Sequence, residues 1–313
     1  MKLRALIGCS TLLMLAVAAP AADPQLLRLV MPDARIVSGV DVARVKTSAL
    51  GNFFLSQLPA SDSGFQQFVG MTGFDPRRDI HEVLLASADP RQKSGLMLVR
   101  GTFDGPRIIA LFKSNGGTPI NYNGVDIISH SGKKQGFSEA VAFLDSSIAV
   151  AGDLDSVKAA IDRRKTSATL NPVLAAKVAN LSGSQDAWGV SLIPPSELAG
   201  KFPEKHVDSA LQGDLVKAIE QTSGGIRFGQ AIEFTAEAVA RTDQDATSLA
   251  DVLKFFVNLA QLQGGKDAAA LSAMLQNLIV KAEANTVKVS FSIAESDLET
   301  LIKFSTHRAA IRP

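Results

Sequence analysis

Cysteine occurs once in these 313 residues, at position 9, and that fact removes disulfides from any account of the fold. Cys9 stands in the opening stretch MKLRALIGCSTLLMLAVAAPAADPQ. There Lys2 and Arg4 precede an uncharged apolar run from Ala5 to Ala18, and the small residues Ala19-Pro20-Ala21 follow. Basic start, apolar run and small-residue close are the pattern of a secretory leader, with cleavage expected after Ala21. The run is shorter than the ~20 residues of a membrane span, and Pro20 and Asp23 end it. Leu6-Ile7-Gly8-Cys9 imitates a lipid-attachment motif, but too few apolar residues separate Arg4 from Cys9 for a leader to be cut there. The expectation is an exported protein, periplasmic or secreted, with residues 1–21 as signal peptide, no stable membrane span after its removal and no cysteine left to bridge.

Such a chain must hold itself together by burial. Hydrophobic residues make up 46% of it, and a length near 300 residues allows about three quarters of the unfolded chain's surface to be buried. With 32 Lys and Arg against 31 Asp and Glu, and Lys2 and Arg4 leaving with the leader, no global field draws in nucleic acid. The clusters Arg77-Arg78, Lys133-Lys134 and Arg163-Arg164-Lys165 are short and read as solvated faces. Phe occurs 16 times, whereas Trp188 and Tyr122 are single. That supply suits cores better than the grouped ring platforms of sugar or single-strand binders.

Periodicity gives the elements. DARIVSGVDVARV predicts a strand over 34–40. Ser48 then caps a helix with Leu50, Phe53, Phe54 and Leu58 on one face. A short helix is expected at 65–69. IHEVLLASADPRQKSGLMLVRGTF reads as a hairpin of strands 80–86 and 95–103, and GPRIIALFKSN as a short helix with Pro106 in its first turn. Asn123-Gly124 marks a type I′ turn, and Asp145-Ser146 divides a further hairpin. NPVLAAKVANLSG predicts a linking helix, DAWGVSL a strand, and DSALQGDLVKAIEQ a helix with Leu211, Leu215 and Ile219 at four-residue spacing. In AIEFTAEAVA, Ile232, Phe234, Ala236 and Ala238 alternate with polar residues, as in a strand wet on one face. Helices are expected over 247–263 and 267–284, then a strand in NTVKVSFSIA and a last helix in SDLETLIKF.

Two strand-to-helix junctions match. VAGDLDSV aligns with AESDLETL, placing Asp153 on Asp297 and Gly152 on Ser296, while Ser296 and Glu299 form a capping box. Asp153, Ser296, Asp297 and Glu299 are therefore read as helix initiators, and Gly152 is expected to accept Ser. The acids argue against phosphate binding at these turns, because Asp153 and Asp155 already occupy the first-turn positions an anion would need. The remaining glycines and the Lys of a phosphate loop are also missing.

The segments DARIVSGVDVARV, GFDPRRDIHEVLLAS, FLDSSIAVAGDLDSVKAAIDRR and DAWGVSL resemble an uncharacterised family of exported bacterial proteins with a two-part α+β layout and no known activity. The resemblance implies export and organisation, and carries no ligand or catalytic residue. From the residues themselves the expected fold is α+β in two related halves, each an antiparallel sheet with helices packed mainly on one face. The first half spans 22–170, a linking helix 171–186, and the second half 187–313.

No G-x-S-x-G occurs. Ser131-Gly132-Lys133-Lys134 matches S-x-x-K without its companion motifs. His81, His130, His206 and His307 are scattered, and Asp243 and Asp245 begin a calcium-loop pattern that lacks its glycine and terminal Glu. No catalytic, metal-binding or cofactor-binding residue is assigned, and no cofactor is expected. FDPRRDIHE is the densest polar group. Arg77 and Arg78 there are candidate anion ligands, set against a local ion-pair network before an edge strand. The leading reading is a non-catalytic binding or interaction module of unknown partner, working through a sheet face or the groove between halves. The alternatives are a cofactor-free hydrolase with dispersed site residues, and a carrier of an apolar ligand.

Overall fold

Asp23 starts the first helix: its carboxylate accepts the Gln25 N–H at 2.7 Å, and Pro24 fills the first turn. The computed structural model describes residues 22–56, 62–89, 91, 95–129, 140–166, 169–198, 214–262 and 277–295. In chain order these form α1 (Pro24–Leu29), β1 (Ile36–Asp41), α2 (Val42–Val45), α3 (Ala49–Ser56), α4 (Ser63–Thr72), α5 (Pro76–Asp79), β2 (Ile80–Ser87), β3 (Leu96–Gly101), α6 (Gly105–Ser114), β4 (Ile120–Tyr122), β5 (Val125–Ser129), β6 (Ala140–Phe143), β7 (Ile148–Gly152), α7 (Leu154–Arg163) and α8 (Pro172–Ser184). They continue with β8 (Ala187–Ser191), α9 (Pro195–Leu198), α10 (Asp214–Lys217), β9 (Ile219–Arg227), β10 (Ala231–Ala240), α11 (Asp243–Leu262), β11 (Ile279–Glu283) and β12 (Thr286–Ala294).

All the described strands join one antiparallel sheet in the order β11-β12-β10-β9-β8-β1-β2-β3-β7-β6-β5-β4. The fold is α+β, and its sheet is continuous because β1 pairs with β8 from Ile36↔Ser191 to Val40↔Ala187. Short turns make the hairpins. Asn123 (φ 50°) and Gly124 (φ 83°) give the left-handed pair a type I′ turn requires between β4 and β5. Asp162 of α7 fastens that hairpin by accepting from Tyr122 Oη at 2.8 Å and Asn123 Nδ2 at 2.7 Å.

Helices cover both faces, not mainly one. On the first face, α1, α7 and α8 bury Leu26, Leu29, Val157, Ile161, Leu174 and Val178 against Val37, Leu84, Leu96, Leu98, Val150 and Val190. Trp188 packs there on Gly39, where an added Cβ would fall 2.5 Å from the indole Cζ2. On the second face, Ala246, Leu249 and Ala250 of α11 meet Ala240 and Val287. Leu50 of α3 meets Ile232 and Ile293, and Phe103 meets Val99 and Ala149. Opposite sides are available because strand side chains alternate, so each strand feeds both cores.

Local expectations fare unevenly. Ser48 Oγ accepts the Gly51 N–H at 2.9 Å at the start of α3, and Asp153 Oδ1 accepts the Ser156 N–H at 2.8 Å at the start of α7. Ile219 belongs to β9, not to a helix with Leu215: pairing with Ala240 extends the strand and overrides the four-residue spacing. The helix expected over 267–284 ends in strand, because Ala284 (φ 49°) turns the chain and β11 pairs with β12. Nor is β2 an edge strand, since it lies between β1 and β3. Gly152 is closed to substitution, because a Cβ would sit 2.4 Å from the Gly95 carbonyl oxygen. Ser296, Asp297 and Glu299 lie outside the described residues.

Candidate functional site

Residues directly opposite one another across strands share a face, so the ladders specify what each face presents. On the second face one row runs Gly189, Gly224, Ala236 and Val289 across β8, β9, β10 and β12. The next row runs Ala187, Ile226, Phe234 and Phe291. The row on the other side begins with Ile36 of β1 and passes through Ser191, Thr222, Ala238 and Val287. Two glycines and an alanine keep the middle row low. The result is a trough with walls of larger residues.

One wall is the stacked pair Phe234 and Phe291, whose ring centroids lie 4.4 Å apart with an interplanar angle of 10°. Leu50 and Phe53 of α3 belong to the apolar cluster around Phe234. Leu253 of α11 lines the opposite side. A concavity of about 470 Å³ occupies the part between Ile36, Ala238 and Leu253, and a second of about 400 Å³ adjoins Phe234 and Phe291. Both share Gly224, Ala236 and Val289. Ala236 is exposed although it sits in the interior of a strand. The floor residues Gly189, Gly224 and Ala236 carry no titratable side chain, and Glu237, which also borders the larger concavity, pairs with Lys177 at 3.8 Å, so such a floor binds through apolar area and shape.

The glycines are needed for two reasons. They set the depth of the floor, and at Gly224 a Cβ would fall 2.4 Å from the Thr235 carbonyl oxygen, which would push β9 off β10. Away from the trough, an ionic tie joins the end of β1 to the start of β8. Arg44 donates to Asp41 at 2.8 Å and to Asp186 at 3.0 Å, while buried Asp186 also accepts the Phe228 N–H at 2.7 Å.

Arg77 and Arg78 are each engaged by a neighbouring carboxylate. Arg77 makes a fork with Asp75 at 3.0 and 2.7 Å, and Arg78 one with Asp79 at 2.7 and 2.8 Å. Those guanidiniums hold the carboxyl groups of Asp75 and Asp79 below the usual range. Arg78 also donates to the Gly73 carbonyl at 2.6 Å, so the cluster locks the turn into β2. In the 163–165 cluster, Arg163 Nε donates to the Leu29 carbonyl at 2.8 Å, and burial pulls its guanidinium below its ordinary value. His81 is exposed on β2, and His130, His206, His307, Ser131 and Lys134 lie outside the described residues. Among the described residues, no three His, Cys, Asp or Glu side chains group as a metal ion requires, and no helix is long and apolar enough to cross a membrane.

Sequence reading named the alternating face of β10 but missed the trough. Gly189, Gly224 and Ala236 lie on three strands, and only their register brings them side by side. A signal was present in the small residues on an otherwise apolar strand face, but it has no meaning until the neighbours are known.

No family model matches the chain, and no curated protein matches it. Among solved structures, one reported as "Structure of crystal form I of TP0453" is similar with a TM-score of 0.50 and 12% sequence identity, over 90% of this chain and 97% of that one. At that identity the likeness concerns the fold alone.

Proposed function

We propose that this is an exported, non-catalytic binding module that receives an apolar ligand in the trough on the second face of its sheet. The observation that carries the reading is the low floor of Gly189, Gly224 and Ala236 between the Phe234–Phe291 wall and Leu253. Its main concavity, about 470 Å³, falls in the range of small-molecule sites. The lining is apolar, so affinity scales with buried area at ~25 cal/mol per Å² less the cost of ordering the ligand.

The two-part organisation is part of the same proposal. The order β1-β2-β3-β7-β6 has the counterpart β8-β9-β10-β12-β11, with α6 after β3 and α11 after β10. Asp33-Ala34-X-X-Val37-Ser38 matches Asp186-Ala187-X-X-Val190-Ser191. These parallels support a duplicated unit whose copies meet at β1 and β8, which puts Ile36 of the first copy at the rim of a trough built by the second. The leader pattern of residues 1–21 supports export, and the resemblance to exported bacterial two-part proteins agrees with it.

The test is a titration with an environment-sensitive naphthalene sulfonate dye and with alkyl chains that compete for it. Binding at one site, abolished by Ala236→Glu in a protein that still unfolds cooperatively, is the expected result. Dye binding that Ala236→Glu leaves unchanged would remove the trough from the proposal.

A further inference from the structure

Ala22 is only 6% exposed although it directly follows the expected cleavage point. The next residue explains why. The Asp23 N–H points at the Glu82 carboxylate, 3.1 Å from Oε1 and 3.3 Å from Oε2. Glu82 is half-buried on β2, and among the described residues this backbone N–H is the donor it is given. Arg100, the nearby cation, donates instead to Asp23 Oδ2 at 2.7 Å, to Ser147 Oγ at 2.8 Å and to Gln25 Oε1 at 2.7 Å.

A small concavity of about 130 Å³ lies here, and Ala22, Glu82, Gln185, Ser182, Asp41 and His81 are among its lining. Arg100 lines it too, but its hydrogen bonds go to Asp23, Ser147 and Gln25, and the Asp41 carboxylate is taken by Arg44. Gln185 Oε1 is buried without a hydrogen-bond partner, and a buried acceptor left unpaired costs ~1–3 kcal/mol. Burial pushes the Glu82 carboxyl above its usual range, and the charges of Asp23 and Asp41 push the same way against the Asp23 N–H and Arg100. Among the described residues, Glu82 and the Gln185 oxygen are thus left without a cation that donates to them.

We infer that this concavity is the seat of the chain's own processed N-terminus, with the α-ammonium of Ala22 paired to Glu82 and within reach of Gln185. The inference rests on the export reading above, in which a leader peptidase hydrolyses the Ala21–Ala22 bond. Water supplies the hydroxyl that leaves on the Ala21 carboxyl group. The nitrogen keeps its hydrogen, gains water's, and takes one more proton from solvent. A neutral amide with one donor becomes a cation with three. Backbone geometry keeps that nitrogen within ~4 Å of the Asp23 nitrogen, which already touches Glu82. Removal of the leader therefore completes an ion pair that the uncleaved chain lacks, and the mature fold gains stability at the moment of processing.

A double-mutant cycle tests this on chains made without the leader. One begins at Ala22 and the other keeps Pro20 and Ala21 ahead of it, each with Glu82 or with Glu82→Gln, which retains an acceptor for Asp23. The expected result is a folded-to-unfolded ratio roughly tenfold higher for the chain beginning at Ala22, equivalent to about one pKa unit of coupling, and no such difference in the Glu82→Gln pair. Equal differences in both pairs, or none in either, would overturn the seat. Should Glu82→Gln not fold, the α-amine's acylation rate decides: at least tenfold protection in the folded chain is expected, and parity with the urea-unfolded chain refutes it. Failure of the export reading is seen separately, as an intact mass that retains Met1 in protein left inside the producing cell.

Discussion

Val37 of β1 and Val190 of β8 are cross-strand partners, both buried, and each is the fifth residue of an Asp-Ala-X-X-Val-Ser segment. In an antiparallel ladder, two matching segments can pair position on matching position only where a two-fold axis crosses between them. The ladder places that point at the join between the units of the proposed duplication. The same ladder makes the sheet continuous, so the join is also where the first face's core passes from one side to the other.

Val37→Ala and Val190→Ala are each expected to cost about 2 kcal/mol, from two lost methyl groups and an incompletely closed cavity. Because the two side chains are neighbours, the double variant should depart from additivity by at least ~0.5 kcal/mol. Urea unfolding of the four chains measures both quantities. Strict additivity would mean that the two sides of the sheet are coupled elsewhere.

Asp153 caps α7 with both carboxylate oxygens, accepting the Ser156 N–H at 2.8 Å and Ser156 Oγ at 2.6 Å. Asp153→Ala should lower stability by about 1 kcal/mol and leave dye binding at the trough untouched, since α7 lies on the other face of the sheet. Gly152→Ser should cost more than Asp153→Ala, because the Gly95 carbonyl leaves no room for a Cβ. The order of the two thermal midpoints is the readout, and the reverse order would mean that β3 yields to the new side chain.

These two neighbours also show which layer of the structure the sequence carried. Asp153 was legible because a cap acts within one turn of its own helix, and Asn123-Gly124 because a turn type is set by two residues. The fit of Gly152 was not, since its limit is a carbonyl more than fifty residues away. Ile219 and Ile279 were misread for a related reason: apolar spacing suits a helix or a strand until a pairing partner decides, and β10 and β12 supplied the partners. The β1–β8 pairing joins segments that share an Asp-Ala-X-X-Val-Ser pattern, but a shared pattern does not say that the two strands pair. The trough is legible only after it, because its floor is assembled across the strands that pairing aligns.

Asp75 and Asp79 titrate below the usual carboxylate value of ~3.9, chiefly through hydrogen bonds from Arg77 and Arg78 respectively. A pKa depressed by folding contributes stability above the unfolded value, and this is lost as pH falls through the folded one. Stability should therefore hold at neutral pH and decline below about pH 4. Asp79→Asn removes the charge and keeps the shape, so it should be less stable than the parent at pH 7, with the two urea midpoints converging toward pH 3. A gap that stays constant across that range would assign the loss to hydrogen-bond geometry instead of charge.

The Phe234–Phe291 wall separates the depth of the trough from its width. Ala236 sits on the floor and is exposed, so Ala236→Glu changes what the trough will accept at a cost of ~0.5 kcal/mol or less to the fold, as for surface substitutions. Phe234 is half-buried, stacked on Phe291 and packed in the cluster with Leu50 and Ile232. Phe234→Ala should cost about 2 kcal/mol, less than the 3–5 of a fully buried ring, while opening the concavity beside it toward α3. The two variants should then diverge. Ala236→Glu loses both the naphthalene dye and alkyl chains, because a desolvated carboxylate faces any apolar occupant. Phe234→Ala keeps the alkyl chains and gains affinity for a bulkier polycyclic probe. A loss of both ligand classes in Phe234→Ala, with the fold intact by urea titration, would show that the aromatic face itself supplies the binding energy and that the ligand stacks on it.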